Sequence, residues 1–159
     1  MMSLSAGGEY IIDASYIKTV AFSIEWGGDG VQDGDVFGAS IVMFDRQGRF
    51  VDGVDARRVR SRRGPRVAFG PSSGRREQFA VDLRDPLQEG VFAYFLVLNG
   101  RTDSSDLRKL GNIRVRLING DTNIVENCRY EVSVGAATTS LLLARAWKDP
   151  KNNKVSSSY

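Results

Sequence analysis

The stretch SYIKTVAFSIEW, residues 15–26, places Val20, Phe22, Ile24 and Trp26 at alternate positions. Successive side chains of a strand point to opposite faces, so this spacing predicts a half-buried β-strand. A helix would return its apolar residues every three or four positions instead. The turn GGDG follows at 27–30, and the same pattern recurs along the chain. Residues 36–44 and 50–59 flank DRQG at 45–48 and read as a hairpin, Asp and Gly supplying the turn chemistry. A short strand over 79–83 is stopped by Asp85-Pro86. The run VFAYFLVL, 91–98, is apolar on both faces, as a central strand of a sandwich would be, and Asn99-Gly100 ends it. Residues 113–118 alternate with Arg114 and Arg116, and Asn119-Gly120 turns the chain into a strand carrying Cys128, Tyr130, Val132 and Val134 on one face. A last strand spans 138–147.

Short strands at this spacing, with no long amphipathic helix, predict an all-β protein: an antiparallel β-sandwich of two packed sheets with long loops. The helical content expected is at most a short turn within 104–110. Residues 1–14 are expected as an N-terminal segment, 15–148 as the sandwich domain, and the polar, aperiodic residues 149–159 as a flexible C-terminal tail. The expected interior comprises Ile24, Trp26, Ile41, Met43, Phe95, Val97, Val115, Tyr130, Val132, Leu141 and Leu143.

A chain of 159 residues, 42% hydrophobic and 26% charged, suits one domain with a real core. Histidine is absent, which removes His-based acid/base catalysis, Ser-His-Asp and Cys-His pairs, and the usual nitrogen ligands of zinc or copper. The single cysteine, Cys128, allows no intrachain disulfide and favours a reducing compartment; its place among Tyr130 and Val132 marks a buried structural thiol. Trp26 and Trp147 read as core aromatics at strand ends, with a partner-facing edge as the alternative for Trp147. Asp82 and Glu89 lack a nucleophile, phosphate cradle or cofactor motif beside them, so turn roles are expected and no enzymatic activity is. The start MMSLSAGGEYIIDASY has no basic segment followed by a long apolar run, and 91–98 is too short to span a bilayer as a helix. The expectation is a soluble, intracellular protein, cytoplasmic or, after removal of a transit peptide, organellar.

Several pieces in order carry a resemblance: IEW at 24–26, GAS and IVMFDRQGRF over 38–50, AVDLRDPLQEGVFAYFLVLN at 80–99, IRVRLINGDTNIVENCRYEVSV at 113–134, and AW at 146–147. Together they resemble the TerD family of tellurite-resistance and stress proteins. The resemblance implies a β-sandwich that binds calcium in the better-known members and has no established catalytic activity. It also implies a Phe-Asp-Leu-Asp-Ala-Ser run whose carboxylates help ligate calcium. Aligning Ala39 and Ser40 with its end puts Val36 and Gly38 at the two Asp positions, and Pro71 stands where the next loop is expected to carry Asp. Calcium takes six to eight oxygens, several of them charged, and Arg75 and Arg76 in that loop oppose a dication. No cofactor is therefore expected. The remaining cation candidate is the turn GGDGVQDGD with Asp29, Asp33 and Asp35, whose spacing does not match an EF-hand.

The strongest functional signal is DARRVRSRRGPRVAFGPSSGRRE, 55–77, with Arg57, Arg58, Arg60, Arg62, Arg63, Arg66, Arg75 and Arg76. Guanidinium forks bind carboxylate or phosphate bidentately and shed water more readily than ammonium groups, so this is a candidate partner-binding surface. The plain reading is a solvated loop. Phe69 is the cluster's single aromatic, which disfavours base stacking but leaves RNA backbone contact open. The expected function is a non-catalytic TerD-like module docking through these arginines onto an acidic surface of other subunits in a protein or ribonucleoprotein assembly. The alternatives are a calcium-binding stress-response protein and, behind it, peripheral binding to anionic membrane, for which no apolar wedge accompanies the arginines.

Overall fold

Alternation becomes sheet where each apolar face finds a second sheet to pack on, and the computed structural model shows two. It describes residues 2–3, 8–12, 18–28, 30–32, 34–63, 67–70, 75–85, 90–120, 126–149 and 154–158. The strands are β1 (Met2–Ser3), β2 (Glu9–Ile12), β3 (Thr19–Trp26), β4 (Phe37–Phe44), β5 (Phe50–Val54), β6 (Val67–Phe69), β7 (Arg76–Asp82), β8 (Ala93–Gly100), β9 (Asn112–Asn119), β10 (Glu126–Ser133), β11 (Ser140–Asp149) and β12 (Lys154–Ser158). The first sheet has the order β1-β10-β9-β3-β7-β6 and the second β2-β12-β11-β8-β4-β5. Neighbours are antiparallel throughout except for the parallel pair of β1 and β10. This is the expected all-β sandwich. The helical turn falls at Leu107–Leu110 as a 3₁₀ helix, its first turn held by the Asp106 carboxylate accepting from the Arg108 N–H at 2.9 Å.

Between the sheets lie Ile24, Phe79, Val115 and Ile113 from one side and Ile41, Met43, Leu98 and Leu143 from the other, all buried. Each such side chain contributes roughly 1.5–3 kcal/mol on leaving water. Trp26, Tyr130 and Cys128 are buried with them, and Val132 and Leu141 are half-buried against the same core. Leu143 is the extra residue of a bulge between Leu142 and Ala144, and its carbonyl accepts a hydrogen bond from the Tyr130 hydroxyl, tying β11 to β10 across the core.

Two expected core residues need correction. Phe95 and Val97 do not lie between the sheets: along β8, Tyr94, Leu96 and Leu98 point inward, so Phe95 and Val97 face outward and are half-buried. A strand apolar on both faces suits a three-layer core, but a two-layer sandwich gives each sheet one inner face only. Trp147 shares that outer face, since its partner across the ladder is Ala93.

The segments expected outside the sandwich contribute strands to it. β12 pairs with β11 on one side and β2 on the other, so residues 154–158 of the stretch expected as a flexible tail are stitched in by backbone hydrogen bonds that need no apolar side chain. β6 emerges inside the arginine-rich stretch, paired with β7. The hairpin strand expected to reach 59 stops at Val54, because Asp55 begins a turn with Arg58. Among the described residues no helix is long and apolar enough to cross a membrane.

Candidate functional site

β5 is an edge strand with Asp52 and Val54 on its inward side. An inward carboxylate must be satisfied locally, and Asp52, 1% exposed, is satisfied by the arginine loop itself. Its Oδ2 accepts the backbone N–H groups of Arg62 at 2.6 Å and Arg63 at 2.8 Å, while Oδ1 accepts the Gly53 N–H at 2.9 Å and pairs with the Arg58 guanidinium at 3.1 Å. Burial pushes the Asp52 carboxyl up, but the three N–H donors and Arg58 outweigh it and hold the group below its ordinary value. Asp55 does the same for the loop's start, its Oδ1 accepting from the N–H groups of Arg57 at 2.8 Å and Arg58 at 3.0 Å. The far limb closes on β6: the Ser61 N–H donates to the Val67 carbonyl at 2.9 Å, and the Phe69 N–H to the Val59 carbonyl at 2.8 Å.

The result is a backbone held over residues 55–63, with most of its arginine side chains turned out. Arg57, Arg60, Arg62 and Arg63 are exposed, and among the described residues none of the four has a carboxylate partner. The other predicted arginines behave differently. Arg58 is spent on Asp52. Arg76, on β7, is held by Ser23 at 3.2 Å, Gln78 at 3.2 Å and Glu25 at 3.7 Å, so it belongs to a charge ladder across the first sheet's outer face with Arg116–Glu25 at 2.6 Å and Arg114–Glu131 at 3.0 Å. Arg75 is exposed, with its guanidinium lying over Gly28. Arg66 lies outside the described residues. The pinning carboxylates were missed from sequence, although an acidic residue in the inward register of an alternating strand is a signal for them.

The position that the family resemblance assigns to a calcium ligand is filled by something else. A Cβ on Gly38 would stand 2.8 Å from Arg101 Nε and 3.2 Å from Glu77 Oε1, so an aspartate side chain fits there only if the Arg101 guanidinium moves aside. The Arg101 guanidinium also reaches Asp55 at 3.7 Å. Glu77 Oε1 accepts the Ala39 N–H at 3.1 Å, while its buried Oε2 finds no hydrogen-bond partner among the described residues. Burial raises the Glu77 carboxyl above its ordinary value, with the Ala39 N–H and Arg101 opposing and Asp55 reinforcing the rise. A guanidinium beside two carboxylates is a cation already in place, and these residues do not fit a calcium ion.

Of the other cation candidates, Asp29 and Asp33 lie outside the described residues, as do Pro71 and Glu89. Asp35 is already saturated. Its carboxylate accepts from Ser104 Oγ at 2.7 Å and the Gln32 N–H at 2.9 Å and pairs with Lys109 Nζ at 3.1 Å, which lowers its pKa to about 2, the Ser104 bond first. It ties Gln32 and its own segment, 34–36, to Lys109 of the 3₁₀ helix. No group of three or more acidic, Cys or His side chains placed to hold a metal occurs among the described residues. Asp82 serves its turn, Oδ1 accepting the Arg84 N–H at 2.9 Å.

No protein-family model and no curated protein matches the sequence. Solved structures do resemble the fold. One is a protein of unknown function, SAV2460, at a TM-score of 0.63 and 14% identity, with 88% of this chain and 86% of that one covered. Another is SCO6318 from Streptomyces coelicolor A3(2), described as a homologue of the telluride resistance protein TerD, at a TM-score of 0.59 and 12% identity, covering 87% and 85%. At these identities the likeness is one of fold: a TerD-like sandwich.

Proposed function

We propose that the chain is a non-catalytic interaction module that docks, through Arg57, Arg60, Arg62 and Arg63, onto an acidic surface of a protein partner in a larger assembly. One observation carries this reading. Asp52 and Asp55 hold the loop by its N–H groups, so four guanidinium groups stand exposed with no carboxylate of their own among the described residues. A loop serving only solubility needs no buried carboxylate to fix its path. A fixed loop has less conformational freedom to lose on binding, which is the advantage of preorganisation. The calcium-responsive alternative is disfavoured by Arg101 beside Gly38, and the membrane alternative by Val59 being the one large exposed apolar side chain described among the four arginines.

The test is the triple variant Arg60→Glu, Arg62→Glu, Arg63→Glu, compared with wild type by affinity purification from the native source across a salt series. These side chains are exposed and have no carboxylate partner among the described residues, so stability should change by no more than about 1 kcal/mol. The wild type should retain a stoichiometric partner that rising salt removes, and the variant should lose it at low salt. A nuclease-treated sample that loses the partner would place RNA, not an acidic protein, against the loop. A variant that keeps every partner at unchanged salt tolerance would return the cluster to the status of a solvated loop. Chelation should leave the melting temperature where it was, because only a ligand bound to the folded state stabilises it.

A further inference from the structure

Over β4, β8 and β11 the outer face of the second sheet is largely apolar, where the outer face of the first is charged. Ladder registers place its side chains in three rows. Phe44, Ala93 and Trp147 make the first, Val42, Phe95 and Arg145 the second, and Ser40, Val97 and Leu142 the third. Small Ala93 between two large aromatics sinks the middle of the first row, and the face encloses a trough of about 880 Å³. Phe44 meets Phe95 edge-on at 5.5 Å, which fixes one wall. Leu142, 53% exposed, and Phe92, 38% exposed, stand bare, and Phe95, Val97 and Trp147 are half-covered. Neighbouring apolar side chains left open to water in this way favour contact with a partner.

Charge selects among occupants. Arg145 stacks on Trp147, 4.6 Å from the ring centroid, and Arg46 lines the trough's end; both are exposed and have no carboxylate partner among the described residues. The acid beside them, Asp45, is taken by Arg49 at 3.0 Å and by the N–H groups of Gln47 and Arg49. A second copy of this chain would bring the same two cations to the interface a second time, and both ends of the described chain are already tied into the sheets. An added strand needs a sheet edge, and this trough lies on a face. Strands are about 4.8 Å apart, so β11, β8 and β4 span about 10 Å, the width of one α-helix with its side chains.

We infer that this trough seats an amphipathic α-helix of a partner protein, laid along β8, with its apolar stripe on Phe95, Val97, Leu142 and Trp147 and acidic residues beside that stripe facing Arg145 and Arg46. The site is separate from the arginine loop and does not depend on it. A helix in this position would remove Leu142 and Trp147 from water while bringing a carboxylate to Arg145.

The test uses a designed helical peptide of about 14 residues with Leu at i, i+3, i+4 and i+7 and Glu on both flanks, and a twin with Lys for Glu. Trp26 is buried in the core, so emission from Trp147 reports on the trough. The wild-type chain should bind the Glu peptide with a Kd on the order of 10–100 µM and a change in Trp emission, and the Lys peptide about tenfold more weakly. Leu142→Glu, with its melting temperature checked, should weaken the Glu peptide about tenfold, and Arg145→Glu should reverse the preference between the twins. The inference is overturned if the folded wild type ignores the Glu peptide, treats both peptides alike, or loses nothing in folded Leu142→Glu. It is equally overturned if dodecanoate alone produces the emission change, or if the chain sediments as a dimer that Leu142→Glu separates.

Discussion

Replacing Asp52 by Ala separates the two ideas on which the arginine loop rests: that its path is built in, and that the builder is one buried carboxylate. The substitution strips the acceptor from the N–H groups of Gly53, Arg62 and Arg63 and the counter-ion from Arg58. A hydrogen bond to a charged group contributes about 1.5–3 kcal/mol net, and the Gly53 bond is local and easily re-solvated, so the two loop bonds set the scale. Arg58 is 39% exposed and its lost pair adds little after screening. The freed loop recovers some chain entropy, and the expected loss is about 3 kcal/mol, or a fall of about 6–12 °C in melting temperature for a domain of this size. Asp52→Asn keeps one acceptor oxygen and should lose about half as much. The folded carboxyl sits below its ordinary value, so its contribution is complete above an unfolded pKa of about 3.9 and disappears as pH falls through the folded value. Wild-type and Ala stability should therefore converge in acid. Urea unfolding across pH, with hydrogen exchange at the Arg62 and Arg63 amides, measures both parts. A loss below about 1 kcal/mol at pH 7 with those amides still protected would refute the reasoning.

Two further outcomes follow from neighbouring geometry. Asp35, held near a pKa of about 2, stabilises its turn fully above the unfolded value of about 3.9 and less as pH drops toward 2; Ser104 and Lys109 resonances should shift together over that window, and a transition near pH 4 would show the clamp is absent in solution. Gly100→Ala should destabilise by about 2–4 kcal/mol in urea unfolding, because a Cβ there runs into the Ser105 carbonyl and stands 2.8 Å from Ser105 Cβ; a loss under about 1 kcal/mol would mean the 102–106 turn yields freely.

Where a strand is half-buried its sequence says so, and β3, β4, β9 and β10 were readable because apolar residues alternate through them. β12 was not, because KVSSS carries no period: what holds it is a backbone ladder on both sides, and backbone groups are the same in every sequence. β6 was hidden for a related reason, three residues being too few to show alternation inside a run of arginines. Phe95 and Val97 misled because apolarity does not say which side of a sheet is covered. The arginines of the candidate site were legible as a composition, but composition did not distinguish Arg58 and Arg76, which are spent internally, from the four that face outward. That distinction depends on which carboxylates the fold brings near, and Asp52 meets Arg62 and Arg63 only after the chain has turned back from β5 toward β6.

The placement of β2 against β12, and of β1 against β10, bears on the order in which the molecule can be made. A ribosome releases β1 and β2 first, yet their ladder partners are among the last strands to leave it. Until then β2 has no neighbour in the sheet, and the outer flank of β11 is open to any other extended chain. The hairpins β4–β5 and β9–β10 can close as they emerge, whereas the two early strands have to wait, and a chaperone or a nascent partner that shields them during this interval would affect yield without touching the finished protein.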